Sequence, residues 1–202
     1  MAERPSDSPP VSTIEWPPPL PGRVGWAWML ALPWRRRRVR RILGLLLGRV
    51  RENSVLVDVG GGTGVASEEV MRVLPPGTLR RRLVLDPQRG MLVRARARST
   101  RLGTAEVAVA DAVALPLPDR SVDVVLSLGV LCCMTDDAVP RAVSETWRVL
   151  RPGGFAVVAV PLRRGDSDDP AFRAAGFVRL EQLRAGRSLY QRPVEAEVGS
   201  VR

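Results

Sequence analysis

The run Val55-Leu56-Val57-Asp58-Val59-Gly60-Gly61-Gly62-Thr63-Gly64 constrains the fold of this chain more than any other stretch. Val55, Leu56, Val57 and Val59 are mostly β-branched, too few for a helix and without polar alternation. That is the pattern of a central strand covered on both faces of a parallel sheet. Gly60, Gly62 and Gly64 then free the backbone to turn tightly and let a ligand approach the main chain without Cβ interference. A helix is expected from Val65 to Leu74, with Val65, Val70, Val73 and Leu74 on one side and Glu68, Glu69 and Arg72 on the other, closed by Pro75-Pro76. Ligands of open α/β sheets bind at such a point, beyond the carboxyl end of the strand.

The same alternation continues. Strands are expected over Leu83–Asp86, Glu106–Ala110, Val122–Leu128 and Phe155–Val160, with helices over Gln88–Leu102 and Asp136–Leu150. Asp136 and Asp137 are assigned to the first turn of that last helix, with Arg148 near its end, and Gly153-Gly154 is read as the turn out of it. A short crossover helix, Asp169 to Ala175, precedes a hairpin of Phe177–Leu183 and Ser188–Arg192 turning at Ala185-Gly186. The expected fold class is α/β: a doubly wound, mainly parallel seven-stranded sheet, Rossmann-like, with a C-terminal antiparallel hairpin.

This domain is placed at residues 53–193, with 194–202 as a tail. Residues 1–22 carry seven prolines with Ser and Thr between, a composition that cannot fill a core and reads as a disordered arm. Residues 23–52 are expected to form a Trp/Arg-rich helical cap. In it Val39, Ile42, Leu43, Leu46 and Val50 recur at helical spacing, while Arg36, Arg37, Arg40, Arg41 and Arg51 fall largely on other faces. One reading has this helix covering the sheet edge with its arginines solvated. The other has residues 26–51 resting on an anionic membrane face. The apolar stretch Trp26–Trp34 is too short to span a bilayer and lacks a cleavage site, so no signal peptide is expected.

The formal charge is +10, and all 31 basic residues are arginine, because the chain has neither lysine nor histidine. A P-loop, a Schiff-base lysine and an imidazole-dependent triad are thereby excluded. The two cysteines, Cys132 and Cys133, are adjacent, so no metal site is expected and a relaxed disulfide between them is disfavoured. A reduced, cytoplasmic chain fits this usage, with peripheral membrane contact left open.

Asp58, Asp86 and Asp111 each close a successive strand and so fall along one rim of the sheet. Such a row repels phosphate and suits a cationic nucleoside. The glycine spacing, Gly60-x-Gly62-x-Gly64, departs from the dinucleotide fingerprint, since Val65 stands where its third glycine belongs. Two further segments carry a pattern: Asp111-Ala112-Val113-Ala114-Leu115-Pro116-Leu117-Pro118-Asp119-Arg120-Ser121-Val122-Asp123, and Glu145-x-x-Arg148-Val149-Leu150-Arg151-Pro152-Gly153-Gly154. Together with the glycine run and Asp86-Pro87, these resemble the ordered motifs of the class I S-adenosylmethionine-dependent methyltransferases, type 11 group. The ubiquinone and menaquinone biosynthesis branch is the nearest.

The resemblance implies S-adenosylmethionine as cofactor. It places Asp58 near the methionine amine and Val59, Gly60, Gly61, Gly62 and Gly64 around methionine and ribose. It assigns Asp86 and Pro87 to the ribose, Asp111 and Ala112 to adenine, and Ser127 to the vicinity of the sulfonium. It names no catalytic residue. Where relatives often carry aromatic or histidine residues after the fourth strand, this chain has Leu131-Cys132-Cys133-Met134, so a carboxylate such as Asp136 or Glu145, or water, is left as proton acceptor. The cysteines read as small apolar residues under the cofactor, with a reactive thiol or an acceptor site for a soft atom as the alternative reading.

The expected activity is methyl transfer to a small-molecule acceptor, lipid- or quinone-like, by in-line displacement. The alternatives are RNA or protein methylation, motivated by the charge, and a non-catalytic cofactor-binding scaffold. No nucleic-acid partner is expected, because Ser127-Leu128-Gly129-Val130 stands where base-methylating relatives carry an Asn-Pro-Pro-Tyr type motif. With no insertion to build a lid, the pocket is to be roofed by residues 1–50, by a second subunit of a homodimer, or by the acceptor.

Overall fold

The computed structural model describes residues 39–99, 105–159, 169–183 and 187–194. Seven strands form one sheet: β1 (Ser54–Val59), β2 (Leu79–Asp86), β3 (Glu106–Val109), β4 (Val122–Leu128), β5 (Leu150–Ala159), β6 (Val178–Leu183) and β7 (Arg187–Gln191). Their order is β3-β2-β1-β4-β5-β7-β6. The first five pair in parallel, and β7 runs antiparallel to both β5 and β6. The helices are α1 (Val65–Val73), α2 (Arg89–Ser99), α3 (Ala138–Val149) and α4 (Asp169–Ala174). The expected doubly wound sheet with a terminal hairpin is the observed one.

β1 is an interior strand between β2 and β4 with every residue buried, as a continuous apolar run requires when both faces are covered. Alternation along the strands divides the core. Val55, Val57 and Val59 pack with Leu83, Leu85, Val125, Ala156 and Val158 beneath α3 and α4. Leu56, Val124, Leu126, Val157 and Leu189 face the other way, against Val70 and Leu74 and against Ile42, Leu43 and Leu46.

The N-terminal segment departs from expectation in shape and position. It is helical over 39–43, tightens to a 3-10 turn at Gly44–Leu46, and leaves the helix at Leu47. Its buried Ile42, Leu43 and Leu46 cover a face of the sheet, not an edge. Arg40 donates to Glu69 of α1, and Arg49 donates to Glu181 of β6. These pairs favour the sheet-covering reading for the described part. The tryptophans at 26, 28 and 34 and the proline-rich arm lie outside the described residues, as do residues 195–202.

Other boundaries moved for local reasons. β2 starts four residues before the expected strand, because Leu79 already pairs with Ser54. α3 starts at Ala138, so Asp136 and Asp137 precede it instead of occupying its first turn. Gly153-Gly154 lies within β5 as a bulge: Val122 pairs with Leu150 but Val124 with Phe155. Gly153 has φ +81°, and a Cβ on Gly154 would sit 2.9 Å from Arg151 O and 3.0 Å from Asp123 O. The C-terminal hairpin is locked by Arg192, which donates to Trp147 O and Leu150 O at 2.8 Å and lies over the Trp147 ring. Among the described residues no helix is long and apolar enough to cross a membrane.

Candidate functional site

β1, β2 and β3 run parallel and side by side, so their carboxyl ends share one rim. Asp58 lies one residue before the end of β1 and is 1% exposed; Asp86 ends β2 and is 7% exposed. Asp111, half-buried, follows β3 and accepts from Val113 N at 3.1 Å through its Oδ1. Ser127, next to last in β4, is buried on the neighbouring strand. The structure therefore brings Asp58, Asp86 and Asp111 to one rim, as expected from their places at strand ends, with Ser127 on the same rim at the end of β4.

The glycine turn rises between β1 and α1. Gly61 N donates to Leu85 O at 3.0 Å, and Gly62 N donates to Asp86 Oδ2 at 2.9 Å, so the turn is pinned to β2. Each glycine answers a different demand. Gly60 has φ +63°, and a Cβ there would overlap Val130 Cγ2. On Gly61 it would lie 2.7 Å from Asp58 Cγ. On Gly62, with φ +56°, it would meet nothing within 4 Å, which leaves the main chain open to a ligand.

Asp58 Oδ2 accepts from Ser67 N in α1 at 3.1 Å. Burial pushes its pKa from 3.8 to about 7, and the like charge of Asp86 adds to the rise, while Ser67 N and Arg82 oppose it. Asp86 accepts from both Gly62 N and Gln88 N at 2.9 Å, yet its own burial still holds its carboxyl above the ordinary value. The raised Asp58 pKa works against the folded state once the unfolded chain has ionised. The folded chain keeps this proton to about pH 7 and the unfolded chain loses it near 3.8, so this carboxyl lowers stability as pH rises from about 4 to about 7. Asp58→Asn removes that slope. Urea titrations of both chains at pH 5 and pH 8 check it; equal pH dependence in the two would refute it.

Three basic residues hold this site: Arg82 and Arg98, which the sequence analysis did not single out, and Arg148, which it read as a helix-end cation within a motif. Arg82 is 5% exposed, sits two residues from Val84 and four from Asp86 on the same strand face, and donates to Ser67 O at 2.9 Å. Burial pulls its pKa down, against the pull of Asp58 and Glu68. The parity with Asp86 was readable once the strand is extended back to Leu79. Arg98 reaches from α2 to donate to Thr63 O at 3.1 Å and to Glu68 at 2.8 Å. Glu68 and Glu69, expected on the solvent side of α1, are 7% and 0% exposed. They are covered by Arg40, Arg72 and Arg98, and the 3.6-residue period alone cannot show that cover.

Arg148 is the third. It donates to Leu115 O at 2.9 Å, Leu117 O at 2.8 Å and Asp119 Oδ1 at 2.7 Å, and pairs with Glu145. Glu145 in turn accepts from Leu115 N at 2.7 Å. The two motifs that read as separate in sequence are one clamp, which holds the segment after Asp111 against α3. The hydrogen bonds from Arg148 keep the Glu145 carboxyl below its ordinary value. Glu145 is thus committed to the clamp and is withdrawn as a proton acceptor. Asp136 is exposed, outside α3. Asp123 lies at the opposite end of the sheet, accepting from Val55 N at 2.7 Å and pairing with Arg151.

A glycine turn open at Gly62 and fixed to Asp86 at the end of the next strand, with Asp58 and Asp111 along the same rim, presents a set of carboxylate acceptors that suits a cationic ligand carrying hydroxyls and an amine. A family model described as a methyltransferase domain matches residues 57–158, half of the chain. The chain belongs to that family, the S-adenosylmethionine-dependent methyltransferases of class I, type 11 group.

A protein of Mycolicibacterium smegmatis, described as a probable S-adenosylmethionine-dependent methyltransferase, is 36% identical over 108 residues, 54% of this chain and 38% of that protein. The ubiquinone/menaquinone biosynthesis C-methyltransferase of Roseobacter denitrificans is 34% identical over 158 residues, 72% of this chain and 60% of that protein. The chain thus spans less than two thirds of either relative. Among solved structures, the N-methyltransferase NodS of Bradyrhizobium japonicum, in complex with S-adenosyl-L-homocysteine, superimposes with a TM-score of 0.67 at 18% identity, covering 82% of this chain and 91% of that one. At that identity the likeness concerns the fold.

Arg98→Ala takes from the glycine turn the hydrogen bond that Arg98 donates to Thr63 O. About tenfold weaker binding of S-adenosylhomocysteine is expected from the loss of one charge-assisted hydrogen bond, with partial recovery in Arg98→Lys. Isothermal calorimetry reads both; wild-type affinity in Arg98→Ala would dismiss this anchoring role.

Proposed function

We propose that this chain transfers a methyl group from S-adenosylmethionine to a small, apolar acceptor of quinone-like or lipid-like character. The observation that carries the reading is the bond from Gly62 N to Asp86 Oδ2, which joins the open turn to the ribose-type acid in one arrangement. In this reading Asp86 accepts from the ribose hydroxyls, with Pro87 beside it, and Asp111 and Ala112 border the adenine. Asp58 faces the ammonium, Val59, Gly60, Gly61, Gly62 and Gly64 line the methionine and ribose, and Ser127 lies near the sulfonium. When bound, the cofactor supplies an electrophilic methyl on a positively charged sulfur.

The chain's own part is alignment and exclusion of water. Val130 packs toward Gly60, Leu131 and Met134 are buried, and the rim beyond β4 is accordingly apolar. That lining suits an apolar acceptor, as does the similarity to the quinone-pathway relative. With no histidine or lysine in the chain and Glu145 held in the clamp, the acceptor's proton leaves to water or to the exposed Asp136. The reading is tested by incubating labelled S-adenosylmethionine with host extract and separating lipid, RNA, protein and small-molecule pools. Label in the lipid or small-molecule pool supports it, and label confined to RNA or protein replaces it.

The state of Asp58 adds a second test. An ammonium beside a carboxyl whose pKa is about 7 favours the charged form, so cofactor binding expels a proton below that pH. Calorimetry at pH 6.5 in buffers of differing ionisation enthalpy should register release of a fraction of a proton in the wild type and none in Asp58→Asn. A wild-type heat independent of buffer would remove Asp58 from the ammonium.

A further inference from the structure

Immediately past β4 the chain folds into a 3-10 turn, Leu131–Cys133. Its two cysteines are half-buried thiols, not joined to each other, with Sγ atoms 3.8 Å apart. Both direct their S–H toward a single acceptor, Gly129 O, at 3.4 Å from Cys132 and 3.5 Å from Cys133. Adjacent side chains in an extended segment would point apart; the tight turn and the shared carbonyl put these two sulfurs on one side. The turn follows directly on Val130, which lies against Gly60 of the glycine turn.

The separation discriminates between ions. With sulfur–ion bonds of about 2.3 Å, two sulfurs 3.8 Å apart subtend an angle of about 110° at a shared centre. A linear dithiolate would need them roughly 4.6 Å apart, twice that bond length. A closed tetrahedral site needs four protein ligands, and among the described residues no group of three His, Cys, Asp or Glu side chains gathers anywhere. A pyramidal trivalent centre needs only the two sulfurs, since its third position is filled by its own substituent. Thiolates also select soft partners over hard ones.

We propose that Cys132 and Cys133 form a two-thiol chelating site for a trivalent thiophilic metalloid of the organoarsenous class, on the acceptor side of the rim. The placement on the acceptor side rests on the cofactor reading above; the chelation does not. With an arsenoxide, R–As=O, two S–H bonds and the As=O bond break and two As–S bonds form. Both protons leave with the oxygen as one water, and arsenic stays trivalent. The bound group then stands where an acceptor would approach, and the acid rim across from it stays clear.

The test uses phenylarsine oxide and the full chain. Native mass spectrometry should show one phenylarsenic group per chain, with both thiols lost to a thiol reagent. Each of Cys132→Ser and Cys133→Ser should bind at least about 100-fold more weakly, because one-point attachment forfeits the effective concentration of the second thiol. In wild type, a dithiol should remove the group and a monothiol at equal thiol concentration should not, a readout that needs no variant to fold. No adduct, undiminished binding in either serine variant, or release by the monothiol would each overturn the proposal. Calorimetry with S-adenosylhomocysteine on the arsenical adduct should give an affinity within about threefold of the unmodified chain; a larger loss would overturn the acceptor-side placement. If the unmodified chain fails to bind S-adenosylhomocysteine while the adduct forms, the cofactor reading falls and the chelating pair stands.

Discussion

Asp86→Ala weakens binding of S-adenosylhomocysteine by at least about 100-fold and leaves the apo chain close to wild-type stability. With Asp86 in the proposed ribose-binding role, the binding loss follows from two charge-assisted hydrogen bonds to the ribose hydroxyls, each contributing about 1.5 to 3 kcal/mol. The stability expectation follows from two opposing terms. Removing the carboxylate frees Gly62 N and Gln88 N from their acceptor. It also relieves burial of a carboxyl and its repulsion of Asp58. Because the terms offset, the defect should appear in calorimetry and not in thermal unfolding. Asp86→Asn, which keeps one acceptor oxygen, falls between the two. Binding by Asp86→Ala within threefold of wild type would remove the carboxylate from the site.

The second large effect separates two neighbouring glycines. Gly61→Ala puts a methyl 2.7 Å from Asp58 Cγ and 2.8 Å from Val84 Cγ1, both within the packed layer between β1 and β2. Overpacking of this kind costs about 1 to 3 kcal/mol, and the shift it forces moves Asp58, so stability and cofactor binding fall together. Gly62→Ala meets nothing within 4 Å, and its strain is that of an L-residue at φ +56°, about 1 to 2 kcal/mol. Its methyl instead enters the space left open for the ligand, so binding falls further than stability does. Urea midpoints and calorimetry on the two variants give a crossed result. If Gly62→Ala binds normally, the open face of the turn is not the ligand's.

The clamp around Arg148 shows how motif and geometry differ. In sequence, Asp111 to Asp123 and Glu145 to Gly154 are two separate patterns, and Arg148 looks like a helix-end cation. In the fold, Arg148 gathers two carbonyls and Asp119 while Glu145 takes Leu115 N, so these residues determine how the segment after Asp111 lies. Arg148→Ala takes the arginine donor from Glu145, Asp119 and both carbonyls, while Glu145 keeps Leu115 N and Leu115 O keeps Leu117 N. A loss of about 2 to 3 kcal/mol is expected, visible in urea unfolding. A loss below 0.5 kcal/mol would mean that the loop holds itself.

Local chemistry alone determined the parallel order of alternating strands and helices, the glycine turn, and the three acids at strand ends. Burial on both faces demands continuous apolar strands, and the last residues of neighbouring parallel strands lie together at the rim. Tertiary structure decided what lies under and around that rim. Arg82, Arg98 and Arg148 are ordinary surface arginines by type, and Glu68 and Glu69 ordinary surface acids by helical period; all five are built into the protein because chains distant in sequence converge on them. The reach of β2 back to Leu79, the bulge at Gly153 and the turn that aligns Cys132 with Cys133 likewise depend on neighbours. A periodic pattern records which side of its own element a residue occupies, and the partner waiting on that side is set only when the chain has closed around it.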